Sequence, residues 1–172
     1  MIVKNILQWE LYTDGSCKKR YNQGFGGWAF IAFNPNGEEI MRKWSEPVSG
    51  FSTNQKMELT AAIEGLKFLD KYRKGDEYVT VYSDSAYLVN CCNQGWYHKW
   101  MNNGWANSKG EDVANIELWW ELIPYFDDPH YTFVKVQGHD KNYYNNECDK
   151  LAQMAAEEAV KNWKGLAHLN DK

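Results

Sequence analysis

The sequence predicts a single α/β domain built on a five-stranded mixed sheet, an antiparallel meander extended by parallel strands, with helices on its faces. Three observations lead there. Residues 6–13, 26–33 and 38–48 are consecutive strand-like runs joined by short connections. Two further runs, 77–83 and 131–136, each follow helical segments, an arrangement that implies crossovers and parallel pairing. The 172 residues are 44% hydrophobic and 24% charged, which suits one globular unit with its own core rather than a disordered chain. The expected order is βββ-α-β-α-α-α-β-α, in one domain over 1–172 with its core at about 6–160 and a tail from about 163.

Residues 6–13 alternate as a strand that ends at Asp14-Gly15-Ser16. The second strand is GGWAFIAF, residues 26–33, and Asn34-Pro35-Asn36-Gly37 is the turn into the third, 38–48. Ser52 or Thr53 caps a helix that reaches about Tyr72. The fourth strand, EYVTVYS at 77–83, ends at Asp84-Ser85. Short helices are expected at about 85–92 and 95–101, and a clearer one at 113–123, stopped before Pro124. YTFVKV, 131–136, is the last strand, and a polar loop from Gln137 to Asn145 leads into a helix at about 146–163.

Bulk properties remove several function classes. Cys17, Cys91, Cys92 and Cys148 form no C-x-x-C pair, so a zinc ribbon or thioredoxin-like site is not indicated. Nothing resembles a disulfide framework, and a reducing cytoplasm is the expected location. The N-terminus lacks a signal-peptide pattern, and no apolar run approaches the ~20 residues needed to span a bilayer. A monomer without a membrane partner is expected. The net charge of −4 counts against an ordinary basic nucleic-acid binder. A cluster of metal-binding carboxylates would lower that number, however, and bound cations would return positive charge where a phosphate sits.

Four acids stand in unusual places. Glu58 shares its helix face with Ala62, Gly65, Leu66 and Leu69, and Asp149 with Ala152, Ala156 and Val160. Both therefore point where helix meets sheet, and an unpaired carboxylate is expensive there. Asp14 and Asp84 each stand at the carboxyl end of a strand, the edge at which α/β sheets build sites. Singly, each has an ordinary reading as a neutralised acid, a turn or a cap. Together they converge if the first and fourth strands are adjacent and parallel. Converging carboxylates repel unless cations bind, and hard oxygen ligands without Cys or paired His select Mg²⁺ or Mn²⁺ over zinc. Two such ions about 4 Å apart would clamp the attacking and leaving oxygens of an in-line phosphoryl transfer.

The stretches that carry these acids resemble type 1 ribonuclease H. They are Tyr12-Thr13-Asp14-Gly15-Ser16, Thr53-Asn54-Gln55-Lys56-Met57-Glu58-Leu59, Tyr82-Ser83-Asp84-Ser85, Val134-Lys135-Val136-Gln137-Gly138-His139 and Asn146-Glu147-Cys148-Asp149. The resemblance covers about residues 6–160. It implies hydrolysis of the RNA strand of an RNA–DNA hybrid, with two Mg²⁺ ions for which Mn²⁺ can substitute. It implies that Asp14, Glu58, Asp84 and Asp149 are metal ligands and that His139 assists turnover. It places substrate contacts at Ser16, Cys17, Asn54 and Gln55, the last two near the scissile strand, where a 2′-hydroxyl can be sensed.

The segment 95–105 resembles the family's substrate-handling protrusion. Its alternation of Trp with Lys and Asn suits stacking and phosphate contact, which adds Trp96, Lys99, Trp100 and Trp105 to the substrate set. The ordinary reading is that these tryptophans pin short helices to the core. One departure is the run Cys17-Lys18-Lys19-Arg20-Tyr21-Asn22-Gln23-Gly24, where many members carry a Gly-Asn-Pro-Gly-like loop. Competing readings are another nuclease of the same fold, such as a junction resolvase, and a hybrid-binding module without activity. The TNQKMEL and Gly-His features argue against the first. The second predicts a missing acid, and all four are present.

Overall fold

The computed structural model describes residues 7–47, 50–137 and 142–170, with side chains described as far as Lys164. Five strands form one sheet in the order β3-β2-β1-β4-β5. They are β1 (Gln8–Arg20), β2 (Gln23–Phe33), β3 (Glu39–Trp44), β4 (Tyr78–Ser83) and β5 (Tyr131–Lys135). β1, β2 and β3 pair antiparallel, whereas β4 pairs parallel with both β1 and β5. The mixed sheet expected from the order of elements is therefore present. The helices are α1 (Asn54–Asp70), α2 (Ala86–Gln94), α3 (Trp96–Asn102), α4 (Ile116–Phe126) and α5 (Tyr143–Asn170).

Strand alternation divides the core. Leu11, Phe30 and Ala32 face α1 and join Leu59, Leu66, Val81, Trp119 and Phe133 in the larger cluster. Tyr12, Ala29, Ile31 and Phe33 point the other way and meet Cys148 and Ala152 of α5. Full burial of a Leu, Ile or Phe stabilises by about 1.5–3 kcal/mol, so each face holds its helix layer firmly.

Several boundaries differ from the sequence expectation. β1 does not end at Asp14. It continues to Arg20 as one arm of a hairpin with β2, closed by Arg20 opposite Gln23. The turn residues are Tyr21 and Asn22, at φ 54° and 59°, as a two-residue hairpin turn with matching twist requires. Asp14-Gly15-Ser16 is thus mid-strand, and the run from Cys17 to Gly24 is hairpin rather than loop. β3 stops at Trp44, short of the expected 48.

α4 starts later than expected and runs through Pro124. Proline removes only its own N–H, and the turn is held on the far side by Asp127 N–H donating to the Ile123 carbonyl at 2.9 Å. α5 continues from Tyr143 to Asn170, so the expected tail is helical as far as Asn170. Gly165 costs a helix about 1 kcal/mol relative to alanine but does not by itself end one.

Candidate active site

The parallel pairing sets the site. β1 and β4 pair from Gln8 opposite Tyr78 to Tyr12 opposite Tyr82. Two residues beyond that last pair, in the same register, stand Asp14 and Asp84. Asp14 sits where β1 leaves β4 and continues with β2 alone, so its position at the end of the parallel pairing replaces the expected strand end. Asp84 follows β4 directly, just ahead of Ser85, whose hydroxyl caps α2 by accepting from the Leu88 N–H at 3.1 Å.

Glu58 reaches the same point from α1. The helix can approach because Gly15 has no side chain: a Cβ there would overlap the backbone of Met57 and Glu58. Gly27 does the same for α5, since a Cβ there would collide with the Ala152 carbonyl and the Ala156 amide. Cys148 fastens α5 to β1 from within, its thiol donating to the Tyr12 carbonyl at 3.4 Å. Asp14-Gly15-Ser16, expected at a strand end and open to an ordinary reading as a turn, lies inside β1, where Gly15 meets Met57 and Glu58.

One carboxylate oxygen from each of Asp14, Glu58 and Asp84 lies within 4.8 Å of the others. Asp14 is 2% and Glu58 8% exposed. Asp14 Oδ1 accepts from the Gly15 N–H at 2.9 Å. Asp14 Oδ2 and Glu58 Oε2 are buried with no hydrogen-bond donor among the described residues, a costly state for a charged oxygen. Burial first, then the charges of Glu58, Asp84 and Asp149, hold the Asp14 carboxyl far above the usual range. Glu58 is raised by burial and by Asp84 and Asp149, partly offset by the Ser85 hydroxyl. The three acids thus offer hard oxygen ligands that repel one another, and Asp14 and Glu58 each keep a buried oxygen that no donor among the described residues reaches, which fits a divalent cation.

Asp149 stands at the rim. It is half-buried and accepts from Gln153 Nε2 at 2.9 Å, yet its charge acts on both Asp14 and Glu58. It belongs to the electrostatic site but not to the tight group of three. His139 lies outside the described residues.

The sequence-predicted substrate residues fall in two places. Asn54 and Gln55, exposed in the first turn of α1, line a groove of about 950 Å³ with Cys17, Lys19, Arg20 and Thr53. Of the basic hairpin run, Lys19 and Arg20 therefore face the same groove, whereas Lys18 reaches Glu157 at 4.0 Å. Ser16 is half-buried beside Gly15 and does not line it. Trp96, Lys99 and Trp100 line a second cleft of about 460 Å³. Trp105 packs on Trp100 at 6.0 Å and Trp120 at 5.9 Å instead. All three predicted tryptophans are half-buried against the α1-side core, so pinning and lining are combined in Trp96 and Trp100.

Known proteins resemble this chain in sequence and in fold. The RNase H family model matches residues 7–157. A ribonuclease H of Caldicellulosiruptor saccharolyticus is 43% identical over 148 residues, covering 86% of this chain and 95% of that protein. One from Acetivibrio thermocellus is 47% identical over 145 residues, covering 83% and 90%. The crystal structure of LC9-RNase H1, a type 1 RNase H with the type 2 active-site motif, superposes with a TM-score of 0.72 at 25% identity, covering 92% of this chain and 76% of that one. LC11-RNase H1, solved in complex with an RNA/DNA hybrid, shares the fold at a TM-score of 0.62 and 22% identity, covering 88% and 99%. With the acids on the strands and helices described and relatives of this similarity along nearly their whole length, the chain belongs to the ribonuclease H family, among its type 1 enzymes.

Proposed function

We propose that this nuclease cuts the RNA strand of RNA–DNA hybrids internally, leaving 5′-phosphate and 3′-hydroxyl ends, with two divalent cations, Mg²⁺ or Mn²⁺, held by Asp14, Glu58, Asp84 and Asp149. The observation that carries this reading is the group of three acids within 4.8 Å, two of whose oxygens are buried without a donor. Divalent cations bound there supply a water of lowered pKa and neutralise charge on the phosphoryl oxygens.

The chain's own residues do the rest. Asp14 and Glu58 are fixed by Gly15 packing, and each presents one oxygen that no donor among the described residues competes for. Asp149 sits half-exposed at the rim, where a ligand can adjust as substrate enters. Asn54 and Gln55 offer amides that hydrogen-bond sugar and base edges in the groove beside the site. Lys19 and Arg20 give that groove positive charge for a phosphate backbone. Trp96, Lys99 and Trp100 offer a second contact along the same substrate. His139, on the segment preceding α5, carries protons or helps product leave.

One gel tests the proposal: end-labelled hybrid, RNA duplex, DNA duplex and both single strands, each with Mg²⁺ or EDTA. Internal cleavage of RNA only in the hybrid and only with metal is expected. Cleavage that persists in EDTA, or products ending in 2′,3′-cyclic phosphate, would refute it.

A further inference from the structure

We propose that Trp163, on the last part of α5, is a positioning residue for the substrate groove, acting through Phe51 on the Thr53–Gln55 turn. Trp163 meets Phe51 edge-on with ring centroids 5.6 Å apart. Both rings close on Phe25 of β2, at 6.1 Å and 5.9 Å. Phe51 stands two residues before Thr53, whose side chain caps α1 by accepting from the Lys56 N–H at 3.2 Å. Between them, Ser52 is tied to the hairpin: its N–H donates to the Gly24 carbonyl at 2.8 Å, and its carbonyl accepts from the Cys17 thiol at 3.5 Å. Ser52, Thr53, Asn54 and Gln55 then line the groove.

Ser52 is tethered to the hairpin through Gly24 and Cys17, and Phe51, packed on Phe25 and Trp163, gives the segment a second anchor. An aromatic pair adds to area burial alone, so this anchor resists rotation of the turn that carries Asn54 and Gln55. Trp163 lies fourteen residues beyond Asp149 on the same helix, about 21 Å along its axis. One rigid element thus carries an acid of the candidate metal site at one end and steadies the groove at the other. The rings are not deep core: Phe51 is 48% and Trp163 40% exposed, so truncating either leaves the two main clusters intact.

The kinetic part of this inference rests on the proposed hybrid cleavage, and its structural part does not. The experiment therefore has two arms on the full chain: Trp163→Ala, Phe51→Ala, the double variant and Trp163→Phe. In the free proteins, amide hydrogen exchange at Thr53 to Met57 is expected to speed up in both alanine variants, with little further change in the double. Trp163→Phe is expected to restore it. On one RNA–DNA hybrid, each alanine variant should raise KM roughly threefold to tenfold, the range one aromatic pair corresponds to, with kcat within about twofold.

Unchanged exchange in Trp163→Ala would overturn the proposal even if KM rose, because Trp163 would then touch substrate directly. Additive effects in the double variant would overturn the coupling between the two rings. If the unaltered chain left hybrids intact, the hybrid reading would fall while the exchange arm still decided the role of Trp163.

Discussion

The Gly15 Cα and the Glu58 backbone are in direct contact across the interface between β1 and α1, with no room for a Cβ between them. That contact is what places a helix carboxylate beside the strand carboxylate of Asp14. Gly15→Ala adds one methyl against backbone atoms, which cannot rotate aside. We expect it to destabilise the fold by about 1–3 kcal/mol and to loosen Mg²⁺ binding, because α1 must retreat and take Glu58 with it. Thermal melting and Mg²⁺ calorimetry check both. A variant that kept wild-type melting and affinity would show that the interface relaxes without moving Glu58.

Asp84→Asn keeps shape and removes one charge from the group of three. Loss of a residue behind a metal ligand typically costs about 10–100-fold, so loss of a ligand should exceed about 100-fold in kcat. Without metal, the variant should melt higher than the parent, because burial and the Asp84 charge both hold Glu58 above its usual range. Near-normal turnover in saturating Mg²⁺ would remove Asp84 from the ligand set.

The strand pattern and the odd placing of Glu58 were legible because burial leaves a plain trace: Leu11, Ala29–Phe33 and Val79–Val81 alternate or run apolar, and a Glu amid Ala and Leu contradicts its neighbours. Where burial leaves no trace, the reading failed. The end of β1, Lys18-Lys19-Arg20, is charged on both faces, and the hairpin turn, Tyr21-Asn22, lacks the glycine that usually marks one. Gly165 looks like a helix stop, so the end of α5 and the partnership of Trp163 with Phe51 were invisible. Pro124 ended a helix on paper that tertiary packing of Trp119 and Leu122 carries one turn further. The contact of Gly15 with Glu58 joins residues far apart in the chain, which no local pattern reports.

Stability of the metal-free protein should fall as pH rises. Asp14 and Glu58 are both raised in the folded state, so the folded chain holds protons that the unfolded chain has released. The stabilisation is complete below the ordinary carboxylate range and is lost as pH climbs through neutrality toward the raised values. Mg²⁺ binds the ionised form, so the gain in Tm on adding Mg²⁺ should grow with pH. Thermal scans at about pH 5 and about pH 8, with EDTA or Mg²⁺, give the four values needed. A Mg²⁺ gain that shrank with pH would place the metal elsewhere.

Arg20 lies on the hairpin arm that forms one wall of the groove with Asn54 and Gln55. Its guanidinium donates to the neighbouring Lys19 carbonyl at 2.8 Å. If it meets a phosphate, Arg20→Ala should weaken hybrid binding at every sequence and lower the slope of log K against log salt by about 1. Binding measured at several salt concentrations checks this. An unchanged slope would leave Arg20 as a solvated side chain.

His139 falls outside the described residues, so its role is argued from chemistry. An unperturbed imidazole titrates near pH 6.5 and can exchange protons around neutrality. Cations held by the four acids, as proposed, would already lower the pKa of the attacking water, which leaves His139 only proton carriage or product departure. A general acid or base typically contributes about 10²–10⁴-fold, and an assisting group lies at or below the low end. His139→Ala should therefore lower kcat by no more than about 100-fold, with KM and Mg²⁺ affinity nearly unchanged, while Asp84→Asn is far more damaging. Steady-state kinetics on one hybrid at neutral pH decide. An unchanged kcat would make His139 a bystander, and a loss as deep as that of Asp84→Asn would make it indispensable to the chemical step rather than an assistant to it.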